Sequence, residues 1–263
     1  MQLQRSLPDL TSRGLGLAVI SYDPPATLSA FAQSRGITFP LLSDAGSETI
    51  KRFDILNREA TGRTAGIPYP GSFIVDARGV VTARSFEERY QERASAQSVL
   101  LAGTPDQSTS ATSAVASAET RHLVLRTGAS DRSAAPGTRI SLRLDIEPKP
   151  RMHVYSPEQR DLIPISVTLD PSDAIKVHPP KFPKSEKYFF APLKETQLVY
   201  SNRFRILQDV TITLTPAVRE RAAKRESLTI TGKLRYQACD DKMCYLPQEI
   251  PLTWTIELTP MER

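Results

Sequence analysis

The segment Gly103-Thr104-Pro105-Asp106-Gln107-Ser108-Thr109-Ser110-Ala111-Thr112-Ser113-Ala114-Val115-Ala116-Ser117-Ala118 constrains this chain most, because nothing in it can build a core. It holds small and polar residues, no aromatic and no hydrophobic period, the composition of a flexible linker. Residues 103–119 therefore separate two lengths of chain, 1–102 and 120–263, each of which must bury its own apolar residues. The first alternates short β-rich runs, Leu15 to Ser21 and Ser72 to Asp76, with helical patterns at Pro25 to Arg35 and Ser47 to Phe53. Strands alternating with helices predict an α/β layer fold. The second has period-two runs at Thr138 to Ile146, Ile163 to Leu169, Phe204 to Leu207 and Val210 to Leu214, spaced by Pro, Asp and Ser. That pattern predicts an antiparallel β-sandwich, with a short helical connection over Pro216 to Lys224. No fixed repeat occurs, which argues against a propeller or solenoid.

Composition narrows the function. Of 263 residues, 40% are hydrophobic and 24% charged, enough for a real core. No run approaches the length of a membrane span, and Met1 to Pro8 lacks the apolar segment of a signal peptide. The net charge of +5 arises from 34 bases interspersed with 29 acids; without a basic block, nucleic acid is a poor partner. Two cysteines and three scattered histidines show no metal-site spacing, and nothing implies a cofactor.

The chemistry therefore rests on Cys239 and Cys244. An alternating run, Ser227 to Tyr236, leads into the first, and a second, Glu249 to Ile256, follows the other, which places both thiols at the neck of a β-hairpin. Four intervening residues, Asp240 to Met243, can turn tightly enough for a disulfide. Closing so short a loop gains only about 2 kcal/mol in the chain-entropy model, so stability is a modest reason to keep the bond and exchange chemistry is the competing one. Lys242 favours a thiolate while Asp240 and Asp241 oppose it, and the local charges do not settle the pKa. The bland alternatives are a structural disulfide or two reduced thiols.

Three stretches of the first part, Leu15 to Asp23, Phe39-Pro40-Leu41-Leu42-Ser43-Asp44 and Gly66 to Val81, resemble the redoxin (AhpC/TSA) branch of the thioredoxin-like family. The resemblance implies a thioredoxin-like α/β/α domain with a cis proline before the strand at Ser72, Pro70 first and Pro68 second. It also implies a nucleophilic cysteine at the start of a helix. Here the chain begins inside that helix, at Met1 to Leu10, and no cysteine precedes Cys239. A truncated domain over 1–102 is expected, unable on its own to act as a peroxiredoxin-type antioxidant, because the thiolate is the reagent.

From about Arg121 onward, Tyr236-Gln237-Ala238-Cys239 with Cys244-Tyr245-Leu246-Pro247 resembles the amino-terminal domains of the thiol:disulfide interchange protein DsbD. Met152 to Pro157 and Pro179 to Phe190 support the match. The spacing departs by one residue between the cysteines from the best-known member. The resemblance implies an immunoglobulin-like sandwich over 120–263, a bacterial periplasmic or otherwise extracytoplasmic setting, and thioredoxin-like redox partners or a membrane electron-transfer domain. It makes Cys244 the sulfur of the mixed disulfide and Cys239 the resolving thiol. It further implies an aromatic cap over the disulfide, for which Tyr188 and Phe189 are the candidates; their bland alternative is ordinary burial. His153 and Tyr155, two apart on a strand, share a face and could line the site, with a structural histidine as the alternative reading for His153.

The leading expectation is thus a thiol-disulfide oxidoreductase passing electrons through a Cys239/Cys244 couple. Its rivals are a non-catalytic β-sandwich binding module with a structural disulfide, and an antioxidant enzyme whose thiol is missing from this chain.

Overall fold

The structure, a computed structural model, describes residues 2–87, 92–103, 116–160, 162–190 and 194–261. The chain divides into two compact units, Met1–Val99 and Leu100–Met261. Most of the segment read as a linker, residues 104–115, lies outside the described residues. Its last residues, Ala116–Glu119, form an edge strand, since ladder pairing needs backbone groups and an edge tolerates small side chains.

The first unit runs α1 (Gln2–Ser12), β1 (Val19–Ser21), α2 (Pro25–Arg35), β2 (Leu41–Ser43), α3 (Glu48–Arg52), β3 (Gly71–Val75), β4 (Val81–Phe86) and β5 (Arg93–Ala94), followed by α4 (Ala96–Gly103). Pro25 opens α2, and Gly36, left-handed at φ 60°, closes it, each in its favoured place. The Asp44 carboxylate accepts from the amides of Glu48, Thr49 and Ile50 at the start of α3. Those bonds, the Ile50 one foremost, hold its pKa low. The α/β character is as expected, but the strands pair as two separate ladders, β1 with β2 in parallel and β3 with β4 antiparallel, instead of one sheet. Phe73 packs edge-on between Phe53 and Phe86 at 5.1 and 5.0 Å. The cis-proline expectation is corrected: every described peptide bond is trans, those before Pro68 and Pro70 included. Trans is the default even before proline, and here it carries the chain straight into β3, with the Pro70 carbonyl accepting from Glu87 N at 3.1 Å to extend the ladder.

The second unit contains β6 (Ala116–Glu119), β7 (Leu123–Ala129), β8 (Ser133–Ala134), β9 (Thr138–Pro148), β10 (His153–Tyr155), β11 (Ser166–Leu169), β12 (Ile175–Val177), β13 (Glu186–Phe190), β14 (Glu195–Tyr200) and β15 (Phe204–Ile212). After these come α5 (Pro216–Ala223), β16 (Ser227–Tyr236), β17 (Ala238–Cys239) and β18 (Gln248–Leu258). One sheet is ordered β12-β15-β9-β7-β6 and a second β11-β16-β18-β8. Their inward residues, among them Ile140, Leu142, Leu144, Ile206, Leu228, Ile230, Trp254 and Ile256, make one buried core. β18 shows why: Ile250, Leu252, Trp254, Ile256 and Leu258 alternate inward between exposed neighbours, the signature of a sheet wet on one side. Gly232 breaks the matching alternation in β16 because a Cβ there would lie 2.3 Å from the Thr168 carbonyl. The result is the expected β-sandwich.

A third sheet, ordered β13-β14-β10-β17, carries the cysteines. The chain leaves the sandwich after Tyr236, pairs Ala238 and Cys239 with β10, and returns as β18. The hairpin with the thiols is therefore a small excursion between two long sandwich strands.

Candidate functional site

Alternation along β10 sets the site. Val154 points into the sandwich core, while His153 and Tyr155 point the other way, as period two requires. Ala238, paired with Val154, faces the core, and Cys239, paired with His153, faces the site. On the neighbouring strand Tyr200 goes to the core and Val199 to the site. Tyr200 stacks on Phe204 at 4.3 Å and donates to the Pro183 carbonyl at 2.8 Å. Burial pushes its pKa up to about 12.

Cys239 and Cys244 form a disulfide, with Cα atoms 4.0 Å apart. Asp240 builds the turn between them: its Oδ1 accepts from the amides of Lys242 at 2.8 Å and Met243 at 2.9 Å, and its Oδ2 from the Tyr245 hydroxyl at 2.8 Å. Those bonds, the Lys242 amide first, lower its pKa to about 2. Backbone bonds from Asp240 N to Met243 O and from Tyr245 N to Ala238 O, both 2.9 Å, close the hairpin.

The two cysteine residues differ in exposure. Cys239 is 0% exposed, whereas Cys244 is exposed. The Tyr155 hydroxyl stands 3.0 Å from Cys239 Sγ and 3.1 Å from Cys244 Sγ. A disulfide has no hydrogen to give, so the hydroxyl is the donor and both sulfurs are acceptors. Burial raises the Tyr155 pKa, and so does the charge of Glu195, which keeps the donor protonated.

Tyr188 covers this face. Its ring lies against His153 at 4.4 Å, and its hydroxyl donates to Asp241 at 3.2 Å. Asp241 also takes the Arg151 guanidinium at 2.9 Å, which ties the turn before β10 to the hairpin and to β13. Burial, followed by the hydrogen bond to Asp241, raises the Tyr188 pKa. Phe189 is not part of this cover: one residue along, it points to the opposite side and is 62% exposed. The structure thus brings Cys239, Cys244, Tyr155, His153 and Tyr188 together and leaves out Phe189 and Pro70, the latter in the other unit.

Residues that sequence reasoning missed stand behind the hairpin. His122, buried, lies 4.6 Å from the Tyr245 ring and 6.4 Å from that of Tyr236, while the Arg121 guanidinium sits 5.3 Å from Tyr245. Burial lowers the His122 pKa. Asp240 was open to reading as a turn-forming carboxylate; the His122 contact, more than a hundred residues distant in sequence, had no local signal. Among the described residues no group of His, Cys, Asp or Glu could hold a metal ion.

The fold and site define a class: a β-sandwich domain bearing a disulfide between two unequally exposed cysteines on a short hairpin. The chain belongs to the family described as thiol:disulfide interchange protein DsbD, N-terminal, which matches residues 121–254, just over half its length. Residues 1–84 match the AhpC/TSA family. Among curated proteins, one named as a candidate peroxiredoxin of Mycobacterium tuberculosis is 32% identical over 82 residues, covering 31% of this chain and 52% of that protein. Alkyl hydroperoxide reductase E of Mycobacterium bovis is 33% identical over 82 residues, 30% of this chain and 50% of that one. The chain thus spans about half the length of the curated relatives it matches. Among solved structures, the reduced DsbD n-terminal domain of Neisseria meningitidis is 16% identical at a TM-score of 0.32, covering 44% of this chain and 78% of that one. The N-terminal periplasmic domain of ScsB from Proteus mirabilis is 13% identical at 0.38, covering 56% and 52%.

Proposed function

We propose that this protein is an extracytoplasmic bacterial thiol:disulfide exchange protein that passes two electrons between thioredoxin-like partners, or from a membrane electron-transfer domain, through the Cys239/Cys244 couple. The observation that carries the reading is the unequal exposure of the two cysteine residues beside one hydroxyl donor. A partner thiolate attacks the exposed Cys244 Sγ; the disulfide breaks, and its electron pair leaves on Cys239. Tyr155 donates to that buried sulfur as charge develops on it, which costs no reorganisation because the hydroxyl is already in place. Attack by the partner's second thiol on the mixed disulfide releases the partner as a disulfide and leaves this chain a dithiol. Tyr188 restricts access, so that a docking partner must displace its ring. Family membership supports exchange chemistry in general and an extracytoplasmic setting; among the described residues, no helix is long and apolar enough to cross a membrane.

Trapping tests the roles. With Cys239→Ser, the remaining Cys244 should form a stable mixed disulfide with a thioredoxin-like protein, whereas Cys244→Ser should trap little. The reverse pattern would exchange the two roles. A reduction potential far below about −300 mV, together with no exchange by the wild-type chain, would make the bond a structural staple.

A further inference from the structure

The site holds a buried polar atom that the disulfide state leaves idle. His153 is 2% exposed, and its Nε2 is buried without a hydrogen-bond partner. Buried polar groups are nearly always satisfied, so an orphan beside a reactive bond needs a cause. The strand register supplies one. His153 is the direct antiparallel neighbour of Cys239, and facing residues on adjacent strands hold their Cβ atoms about 5 Å apart on one face. In the disulfide, Cys239 has no proton to offer. In the dithiol it carries an S–H donor at that position, where solvent does not reach.

We infer that His153 is the internal base for Cys239, accepting its S–H proton on Nε2 when Cys239 acts as the resolving nucleophile. This rests on the exchange reading above and supplies a proton step which that reading lacks. In the reduced domain the Cys244 thiolate attacks a partner disulfide, forms the mixed disulfide and expels one partner thiolate. Cys239 then gives its proton to His153 and attacks Cys244 Sγ. The Cys239–Cys244 bond forms, the bond from Cys244 to the partner breaks with its electron pair on the partner sulfur, and the imidazolium returns the proton to solvent. The chain goes from dithiol to disulfide as the partner goes from disulfide to dithiol.

The other titratable groups facing His153 do not fill this role. Tyr155, on the same strand, has a raised pKa and acts as a donor. Tyr188, on β13, also has a raised pKa, and its hydroxyl is engaged by Asp241. In the hairpin, Asp240 is occupied by two amides and the Tyr245 hydroxyl, and Asp241 by Arg151 and Tyr188. Burial lowers the His153 pKa against the opposing pull of Asp241 and Asp240, so the imidazole is neutral at neutral pH and able to accept.

The test follows glutathione release when the reduced full-length chain reacts with oxidised glutathione between pH 5 and 9. In the wild type, the resolving step should level off above the His153 titration. In His153→Gln it should be about 10²-fold slower at pH 7 and climb with pH as the thiol ionises unaided. Superimposable profiles would overturn the inference. A second measurement needs no variant: on reduction, the ¹⁵N resonance of His153 Nε2 should shift, while those of His122 and His178 hold. A His153 resonance indifferent to redox state also overturns the inference. If the wild type forms no mixed disulfide with glutathione, the exchange reading fails separately, and the resonance alone decides the state of His153.

Discussion

Tyr155 is the side chain on which the exchange geometry turns, because a single hydroxyl stands within hydrogen-bond reach of both sulfurs. It can donate to only one at a time, and the sulfur that gains charge on cleavage is the stronger acceptor. Tyr155→Phe keeps the ring that packs with Val199 and Cys239 and removes the donor alone. A neutral hydrogen bond contributes about 1 kcal/mol net, so reduction of the disulfide by dithiothreitol at pH 7 should slow roughly five- to tenfold with little change in melting temperature. An unchanged rate would relegate the hydroxyl to packing. The i, i+2 relation of His153 and Tyr155 was legible in sequence because it follows from strand periodicity, and the cysteine pair because a four-residue turn can bring its ends together. The same rule separates Tyr188 from Phe189: adjacent strand residues face opposite ways, so the two cannot both cover one disulfide. Which of them does so depends on the pairing of β13 with β14, which the sequence does not display.

The hairpin is an element held from one end. Asp240 accepts two backbone amides and a tyrosine hydroxyl, so its ionised form organises the turn between the cysteines. Its folded pKa of about 2 lies below the ordinary carboxylate value. The stabilisation is therefore fully present above about pH 4 and is lost as the pH falls through about 2. The Lys242 and Met243 amides should be protected from hydrogen exchange at neutral pH and lose that protection across this acid window. In Asp240→Ala they should be unprotected at every pH, and the exposed Cys244 sulfur should react faster with small thiols. Protection in the variant equal to that of the wild type would show that the disulfide alone shapes the turn. At this scale the long strands β9, β16 and β18 were readable from their alternation. The sheet that bears the site was not, since β10 and β17 have three and two residues and are defined by their pairing, β10 with β14 and β17 and β17 with β10. Runs so short carry no period.

For the whole molecule, the change of texture near residue 103 anticipated an α/β part and a β-sandwich, because helical and strand periods in separate stretches cannot share one layer. The pairing of the first unit's strands as two ladders was not legible, since a run such as β1 records that it is a strand and not which neighbour it takes. The two units also differ in how well they bury their apolar residues. The sandwich has one continuous core drawn from facing sheets, whereas the first unit leaves Ile20, Leu42, Phe31, Phe53 and Val81 substantially exposed, two of them directly paired across β1 and β2. Every side chain of the exchange site, from His122 to Tyr245, lies in the second unit. Residues 120–263 expressed alone should therefore melt cooperatively and exchange with glutathione at the rate of the full chain. Residues 1–102 alone should give a broad, low-temperature transition, because the apolar area they remove from water barely offsets the chain entropy lost on folding. Calorimetry of the two fragments checks both statements. A sharp, high-temperature melt of residues 1–102 would mean that two short ladders and their helices suffice as a core, and a loss of exchange in 120–263 would mean that the redoxin-like unit contributes to the chemistry without a thiol of its own.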